Sequence, residues 1–222
     1  MKEDLYGILL EGTGQTLYMV ALSTIIAIIL GLPIGVLLTV TDKSSVVPFP
    51  KVNKIIGTVI NVIRSLPEMI LIILLLPLAR FIVGTSLGSN AAIVSLSIGS
   101  APFLARIIEN CLKEVQHGKI EAAEALGASP IEIIIKVLIP EALPSIVRGI
   151  TIAIITITGF TAIAGAIGGG GLGSLAIRYG YQRFRNDVLL ATVLILVVLV
   201  QTVQFVGDLI ARFINRKRYK FE

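Results

Sequence analysis

The first apolar run of the chain reads TLYMVALSTIIAIILGLPIGVLLTV, from Thr16 to Val40. It contains no charged side chain, and the next one along the chain is Asp42. A helix that crosses the hydrocarbon core of a bilayer needs about 20 predominantly apolar residues. We therefore predict that residues 16–40 form a transmembrane helix.

Four later runs have the same character, with approximate bounds of 66–83, 90–108, 145–167 and 188–210. Of the 222 residues, 55% are hydrophobic and only 15% are charged, and the mean hydropathy is +0.93. A water-soluble domain carries about a quarter charged residues. We predict an all-α integral membrane protein with five transmembrane helices, folded as a single domain over residues 1–222.

The second run has to be divided, because residues 55–83 are too many for one perpendicular crossing. The stretch Ser65-Leu66-Pro67-Glu68 is typical of a helix start, with Ser65 as the N-cap and Glu68 at the third position. We predict that residues 52–64 lie in the interface and that the crossing begins at residue 66. Arg64 then lies near the head groups, whereas inside lipid it would cost about 2.5–3.5 kcal/mol.

The basic residues are unevenly divided between the two sides that five crossings define. Most of the 19 Lys and Arg residues fall on the side of the C-terminus, and segments rich in Lys and Arg stay in the cytoplasm. We predict that the N-terminus is outside and the C-terminus inside. Arg178, Arg183 and Arg185 fall outside against this rule. They form either an interfacial face or part of a docking surface for a protein on the outer side.

The longest charged connection is 109–144, on the predicted inner side. Its residues 119–126, KIEAAEAL, are strong helix formers. Gly127 follows as the left-handed residue expected just past a helix end. A second helix then starts with Ser129 as N-cap and Pro130 at the first position.

The second helix carries an apolar stripe at helical spacing, which predicts that it packs against the membrane domain. The stripe consists of Ile131, Ile134, Ile135, Leu138 and Ile139. We expect Pro140 to end this helix, and Pro144 precedes the fourth span.

The first helix of this connection has the composition of a docking element. Ala122, Ala123 and Ala125 let another backbone approach closely, and Glu121 and Glu124 offer charged hydrogen bonds to a partner. We therefore predict that the helix docks into another protein; the alternative is an ordinary linker helix.

The sequence contains no motif typical of a catalytic site or of a metal site. The chain has one His, His117, and one Cys, Cys111, and neither has companions at metal-ligand spacing. A G-x-G-x-x-G match at 168–173 follows a predicted membrane helix instead of a strand, so we interpret it as a flexible turn that re-enters or caps a path. There is no phosphate-binding loop of the Walker type. We predict a protein that is not an enzyme and holds no metal.

Several motifs resemble those of a known family. Glu121-Ala122-Ala123, Gly127 and the later Ile139-Pro140-Glu141-Ala142-Leu143-Pro144 resemble the EAA loop of binding-protein-dependent ABC importer permeases. The resemblance runs from about residue 14 to residue 208. The motifs that resemble the methionine-importer branch are Arg64-Ser65-Leu66-Pro67, Gly84-Thr85-Ser86-Leu87-Gly88, Ala101-Pro102-Phe103, Pro140-Glu141-Ala142-Leu143-Pro144, Gly170-Gly171-Leu172-Gly173 and Tyr179-Gly180-Tyr181. Glu68 departs from that branch, which more often has an apolar residue there, and the resemblance carries no substrate role to it.

The resemblance implies a type I ABC importer permease, a homodimer in the bacterial cytoplasmic membrane. Its cargo would be D- or L-methionine or a similar small amino acid, delivered by an extracytoplasmic substrate-binding protein. ATP would be bound by cytoplasmic ATPase subunits, so no cofactor is expected in this chain. The coupling helix that docks into the ATPase would consist of Glu121, Ala122, Ala123, Glu124, Ala125, Leu126 and Gly127.

The substrate path can be suggested only from side-chain polarity. The candidates are Thr156, Thr158, Phe160, Thr161 and Ile163 of the fourth span, and Ser95, Ser97 and Ser100 of the third. The spans contain few ionisable residues, whereas an ion-coupled carrier usually has some. Two alternatives stay open at this point: a permease for another amino acid or small organic solute, and a secondary transporter or channel without an ATPase.

Overall fold

The computed structural model describes residues 5–218, and every regular element in this part of the chain is a helix. The α-helices are α1 (Leu5–Val40), α2 (Pro50–Arg64), α3 (Glu68–Val83), α4 (Ser89–Lys113), α5 (His117–Ala125), α6 (Pro130–Ile133), α7 (Ile139–Ala164), α8 (Gly171–Leu175) and α9 (Asn186–Arg218). Three π-helical segments, Ile134–Leu138, Gly165–Gly169 and Ala176–Tyr181, link α6 to α7, α7 to α8, and α8 to the loop before α9.

Four long helical stretches are apolar enough to cross a membrane: α1, α4, the stretch Pro130–Gly169, which is kinked at Ile167 and Gly168, and α9. The bent pair of α2 and α3 brings the number to five. The prediction of an all-α membrane protein is therefore confirmed over the described residues, and the predicted five spans are reached when the bent pair counts as one span. The helices extend beyond the predicted spans, since α1 already begins at Leu5. The predicted domain bounds, 1 and 222, lie outside the described residues.

The chain contacts itself in two compact units. The first comprises the described part of residues 1–27 together with Leu66–Ser100 and Ala153–Gln204. The second comprises Ile28–Ser65, Ala101–Ile152 and the described part of 205–222.

A separate apolar cluster stabilises each unit. The buried residues of the first unit's cluster are Met19, Ile72, Ala92, Ile93, Leu96 and Ala164. That of the second has Leu38, Ile60 and Ala105, with Ile34 and Ile56 packed against them.

Two glycines let α1 and α4 approach closely within the second unit. A Cβ at Gly35 would lie 2.7 Å from the carbonyl oxygen of Ala105, and one at Gly31 would lie 2.9 Å from that of Ala101. Small residues at helix crossings allow this backbone contact, which van der Waals packing stabilises in membranes.

The predicted break in the second run is present, but the role predicted for Ser65 is wrong. Ser65 closes α2 instead of capping α3, because its hydroxyl donates to the carbonyl oxygen of Val62 at 2.7 Å. Pro67 is the N-cap of α3 and offers no side-chain cap. A proline disfavours helical geometry in the residue before it, here Leu66. The helix therefore stops, and the chain bends by 105° before α3 begins.

The prediction that Pro140 ends the second helix of the connection is also wrong. The helix continues through Pro140 into α7, because the π-helical segment Ile134–Leu138 widens it just before the proline. The backbone N–H of Ile139 bonds to the carbonyl of Ile134, five residues back. A proline normally clashes with the carbonyl four residues back and leaves it unpaired. The π turn displaces those carbonyls, so the helix accepts the ring.

The π turn also changes which face of this helix is buried. Ile133 and Leu138, five residues apart, are each only 1% exposed. Ile131 and Ile135, which were predicted to pack, are 68% and 60% exposed. The predicted stripe assumed 3.6 residues per turn, and the π turn has more than four.

Candidate functional site

The predicted docking helix is present as α5, His117–Ala125, two residues longer at its start than predicted. None of its residues is buried. Of the seven predicted coupling residues, six are exposed and Ala123 is half-buried. The structure therefore presents the small and acidic side chains of α5 to the surroundings.

Gly127 ends this element in the conformation that the sequence predicts. Its φ is +80°, the left-handed region, and its N–H donates to the carbonyl oxygen of Glu124 at 2.9 Å. The N–H of Ala128 donates to the carbonyl of Ala123 at 3.1 Å. A side chain in this backbone conformation costs about 1–2 kcal/mol, which explains the glycine.

The predicted start of the next helix is confirmed as a capping box. The backbone N–H of Glu132 donates to the Ser129 hydroxyl, and the Ser129 N–H donates back to the Glu132 carboxylate at 3.0 Å. Two backbone donors of the helix start are thereby satisfied. The turn between α5 and α6 is therefore defined on both sides of Gly127.

Two polar contacts join the segment around α5 to α7. Lys119 Nζ lies 2.6 Å from Glu141 Oε2, in the first turn of α7. The Ser145 hydroxyl donates to Glu114 Oε2 at 2.6 Å. The exposed helix α5 and the residues before it are thus tied to the first turns of α7.

Apolar side chains surround the exposed end of α5. Leu126 is 89% exposed, and Ile131 and Ile135 on the following helix are exposed as well. Exposed apolar side chains beside carboxylates are typical of a surface that a protein partner covers.

An ionic cluster in the second unit was not predicted from the sequence. Glu109 is only 4% exposed, and its two carboxylate oxygens accept from Arg106 Nη1 at 2.6 Å and from Lys113 Nζ at 2.9 Å. Lys113 also contacts Asp42 at 2.8 Å. That hydrogen bond from Lys113 lowers the pKa of Asp42, in the connection that follows α1. Arg106, Glu109 and Lys113 recur at steps of three and four residues, the spacing that could have revealed the cluster.

Arg106 extends this cluster to α2. Its Nη2 donates to the backbone carbonyl of Gly57 at 3.0 Å and to Asn61 Oδ1 at 2.9 Å. A guanidinium has five donors in a fixed plane and can bind several acceptors at once. Arg106 therefore fastens α2 to α4 within the second unit.

The glycine-rich segment turns the chain sharply between α7 and α8. Gly168, Gly170 and Gly171 have φ values of 97°, 86° and 74°. The N–H groups of Gly171 and Leu172, at the start of α8, donate to side chains of α1. The acceptors are Gln15 Oε1 at 2.7 Å and Thr16 Oγ1 at 2.9 Å. A Cβ at Gly171 would lie 2.6 Å from the Thr16 hydroxyl, so this contact requires the glycine.

The structure places the suggested path residues of the first unit in its interior. Phe160 and Ile163 pack on the apolar cluster around Met19, and Thr156 is half-buried. The hydroxyl of Thr161 donates to the carbonyl of Thr158 at 2.7 Å. That of Ser97 donates to the carbonyl of its own helix, at Ile93, at 2.6 Å. Their lining of a path stays a prediction.

Two of the three arginines that precede α9, Arg183 and Arg185, are held by local contacts. The Arg183 guanidinium lies 4.6 Å from the ring centroid of Tyr179, and Arg185 Nη2 lies 2.6 Å from Asp187 Oδ2. Cation–π contacts of this kind fix an arginine against a ring. Over residues 5–218, no group of three or more His, Cys, Asp or Glu side chains could hold a metal ion.

Comparisons with known proteins bear on this arrangement. The family described as "Binding-protein-dependent transport system inner membrane component" matches residues 31–220. The chain is 45% identical over 210 residues to the "Probable D-methionine transport system permease protein MetI" of Vibrio cholerae, covering 95% of this chain and 93% of that protein. It is 49% identical over 181 residues to the "Methionine import system permease protein MetP" of Bacillus subtilis, covering 82% of each.

Solved structures are similar as well. A chain of the structure described as "Inward facing conformations of the MetNI methionine ABC transporter" superposes with a TM-score of 0.94 and 43% identity. The match covers 96% of this chain and 99% of the other. A second structure, an amino acid ABC transporter with histidines, has a TM-score of 0.75 and 23% identity, a likeness of fold alone.

Proposed function

The chain belongs to the family of binding-protein-dependent transport system inner membrane components, and we propose that it is the permease subunit of an ATP-driven importer of D- or L-methionine. As a permease it provides the passage across the cytoplasmic membrane and does not itself hydrolyse ATP. The named relatives, at 45% and 49% identity, support methionine as the cargo.

The observation that carries this proposal is the exposed helix α5. It is short, rich in alanine, ended by Gly127 at φ +80° and tied to α7 through Lys119 and Glu141. Such a helix is suited to fit a groove in a cytoplasmic ATPase subunit, with Glu121 and Glu124 as charged hydrogen-bond acceptors. We propose that ATP is bound by that subunit and that this chain needs no cofactor.

The working assembly is a homodimer with two ATPase subunits inside and one substrate-binding protein outside. Five helices are few to enclose a passage, whereas two permease copies can enclose one along the two-fold axis between them. Two-fold symmetry is the commonest symmetry in oligomers. The excess of Lys and Arg on the side of the C-terminus supports an N-outside, C-inside orientation. This orientation places α5 beside the ATPase.

In this mechanism, ATP binding draws the two ATPase subunits together and moves α5 with them. The contacts of Lys119 and Glu114 with α7 transmit the displacement to a membrane-crossing helix. The dimer then alternates between inward-open and outward-open states, and each exposes the passage to one side. The differential affinity of the ATPase for the two states supplies the free energy of the change.

The function is tested by reconstituting the permease in vesicles with its ATPase inside and its binding protein outside. We expect radiolabelled methionine to accumulate when ATP is enclosed, and not when a non-hydrolysable ATP analogue replaces it. Accumulation driven by a sodium or proton gradient in vesicles without the ATPase would contradict the proposal and indicate a secondary transporter. Uptake of another amino acid in place of methionine would correct the cargo alone.

Reversing one charge of the Lys119–Glu141 pair should uncouple transport from ATP hydrolysis. Lys119→Glu places two carboxylates where an ion pair now joins α5 to α7 at 2.6 Å. We expect methionine imported per ATP hydrolysed to fall by about fivefold or more, the usual lower range of a coupling free energy. The double variant Lys119→Glu with Glu141→Lys should restore most of it.

The matched control is Lys136→Glu. It reverses the same charge in an ion pair of 2.8 Å that lies within one helix, between Lys136 and Glu132. Since this pair joins no separate elements, the ratio of import to hydrolysis should change little. A double swap at 119 and 141 that transports as poorly as the single variant would show that the pair does not transmit motion.

A further inference from the structure

A carboxylate with no protein partner lies at the start of α3. Glu68 is the first residue of that helix and is half-buried. Its Oε1 atom is buried and makes no hydrogen bond within the described part of the chain. Buried carboxylates are normally paired, because removing the charge from water is costly.

The position of Glu68 makes this lack of a partner more significant. Its Oε1 lies 3.4 Å from where a Cβ of Gly99 would stand. Gly99 is near the middle of α4, a helix of 25 residues that is long and apolar enough to cross the membrane. The carboxylate therefore lies beside the middle of a spanning helix, and α3 begins there after the break at Leu66 and Pro67. Ligand sites of membrane transporters commonly lie at broken helices.

Two hydroxyls on α4 near Gly99 are also unsatisfied. Ser95 lies one turn before Gly99 and Ser100 directly follows it; they are 0% and 1% exposed. Neither hydroxyl has a hydrogen-bond partner within residues 5–218. Ser97 on the same helix differs, since its hydroxyl bonds to the carbonyl of Ile93. A carboxylate and hydroxyl groups in a water-poor environment are the set that an ammonium or another monovalent cation would satisfy.

We infer that the Glu68 carboxylate binds the ammonium group of the amino acid as it passes through the permease, beside the part of α4 that carries Ser95, Gly99 and Ser100. The inference rests on the proposed function, because it takes its ligand from the proposed cargo. An ionisable residue within a membrane span normally marks a substrate or ion path. Here the ammonium of the cargo supplies the charge that the protein does not.

Equilibrium binding to the resting permease–ATPase complex in lipid nanodiscs, without the binding protein, tests this site directly. We expect the wild-type complex to bind radiolabelled methionine. N-acetylmethionine, which lacks the positive charge, should fail to compete. Glu68→Gln keeps the size of the side chain and removes its charge, and it should weaken methionine binding roughly tenfold or more. Glu68→Asp should retain part of the affinity.

The control variant is Glu11→Gln, the same change at an exposed position of α1, and it should bind methionine like the wild type. Binding by Glu68→Gln at wild-type affinity, effective competition by N-acetylmethionine, or no binding by the wild-type complex would each overturn the inference. A binding affinity that requires sodium and is lost in N-methylglucamine buffer would assign the site to a metal cation instead. None of these results would change ATP-driven methionine uptake by the wild type. The uptake assay therefore tests the proposed function, and the binding assay tests the role of Glu68.

Discussion

Ala122→Arg is expected to abolish ATP-driven methionine uptake while leaving the permease folded in the membrane. Ala122 is exposed on α5, and its small side chain allows the backbone of a partner to approach. An arginine there would hold the ATPase several ångströms away. Interface residues at the centre of a docking surface carry 2 kcal/mol or more of binding free energy. We expect uptake to fall by at least ~100-fold, equivalent to about 2.8 kcal/mol.

Two measurements separate this effect from a folding defect. The amount of ATPase that copurifies with the permease should fall in parallel with uptake, and the elution volume of the solubilised permease should not change. Ala122→Ser is the matched control, because it keeps a small side chain at the same position and should transport normally. Wild-type uptake by Ala122→Arg would exclude α5 as the docking element.

Glu109→Gln is expected to destabilise the protein more than any other single polar change in the second unit. Glu109 is almost fully buried and binds Arg106 and Lys113 with its two oxygens. An amide would leave Arg106 without its counter-charge, whereas Lys113 would keep its contact with Asp42. Removing one partner of a buried ion pair costs about 3–5 kcal/mol. Thermal unfolding of the solubilised permease, followed by the loss of helical circular dichroism, should register a marked fall in Tm.

Glu114→Gln provides the comparison for this prediction. Glu114 is exposed and accepts one hydrogen bond, from the Ser145 hydroxyl, which an amide oxygen also accepts. We expect a loss of less than about 1 kcal/mol. Equal Tm values for the two variants would mean that the Glu109 cluster contributes no more than an exposed hydrogen bond.

The sequence predicted those elements that local chemistry determines. Gly127 and the Ser129 capping box were found because a left-handed glycine and a Ser–Glu pair act over four or five residues. The apolar spans were found because lipid requires an uninterrupted apolar helix.

The predictions failed where packing or a backbone irregularity decided the outcome. A proline reads as a helix end, but the π turn before Pro140 accommodates its ring, and no residue in Ile134–Leu138 marks that turn. Ser65 reads equally well as the end of one helix or the start of the next. Only the restriction that Pro67 imposes on Leu66 selects the first reading.

The candidate site followed the same division. The exposed residues of α5 could be predicted, because their pattern is local. The spacing of Arg106, Glu109 and Lys113 could have revealed their ion pairs, but the contacts of this cluster with other helices and the unpaired carboxylate of Glu68 could not be predicted. Each depends on which residues of other helices lie beside it, as Asn61 lies beside Arg106 and Gly99 beside Glu68.

The hydrogen bonds from the start of α8 to Gln15 and Thr16 have a consequence for how the chain is made. They join residues 156 positions apart, and ribosomes add about 5–20 residues per second. Gln15 and Thr16 of the first helix are therefore synthesised roughly 8 to 30 seconds before the backbone N–H groups of Gly171 and Leu172 that donate to them. During synthesis the oxygens of these two side chains need another hydrogen-bond donor, either water at the bilayer surface or a group of the insertion machinery.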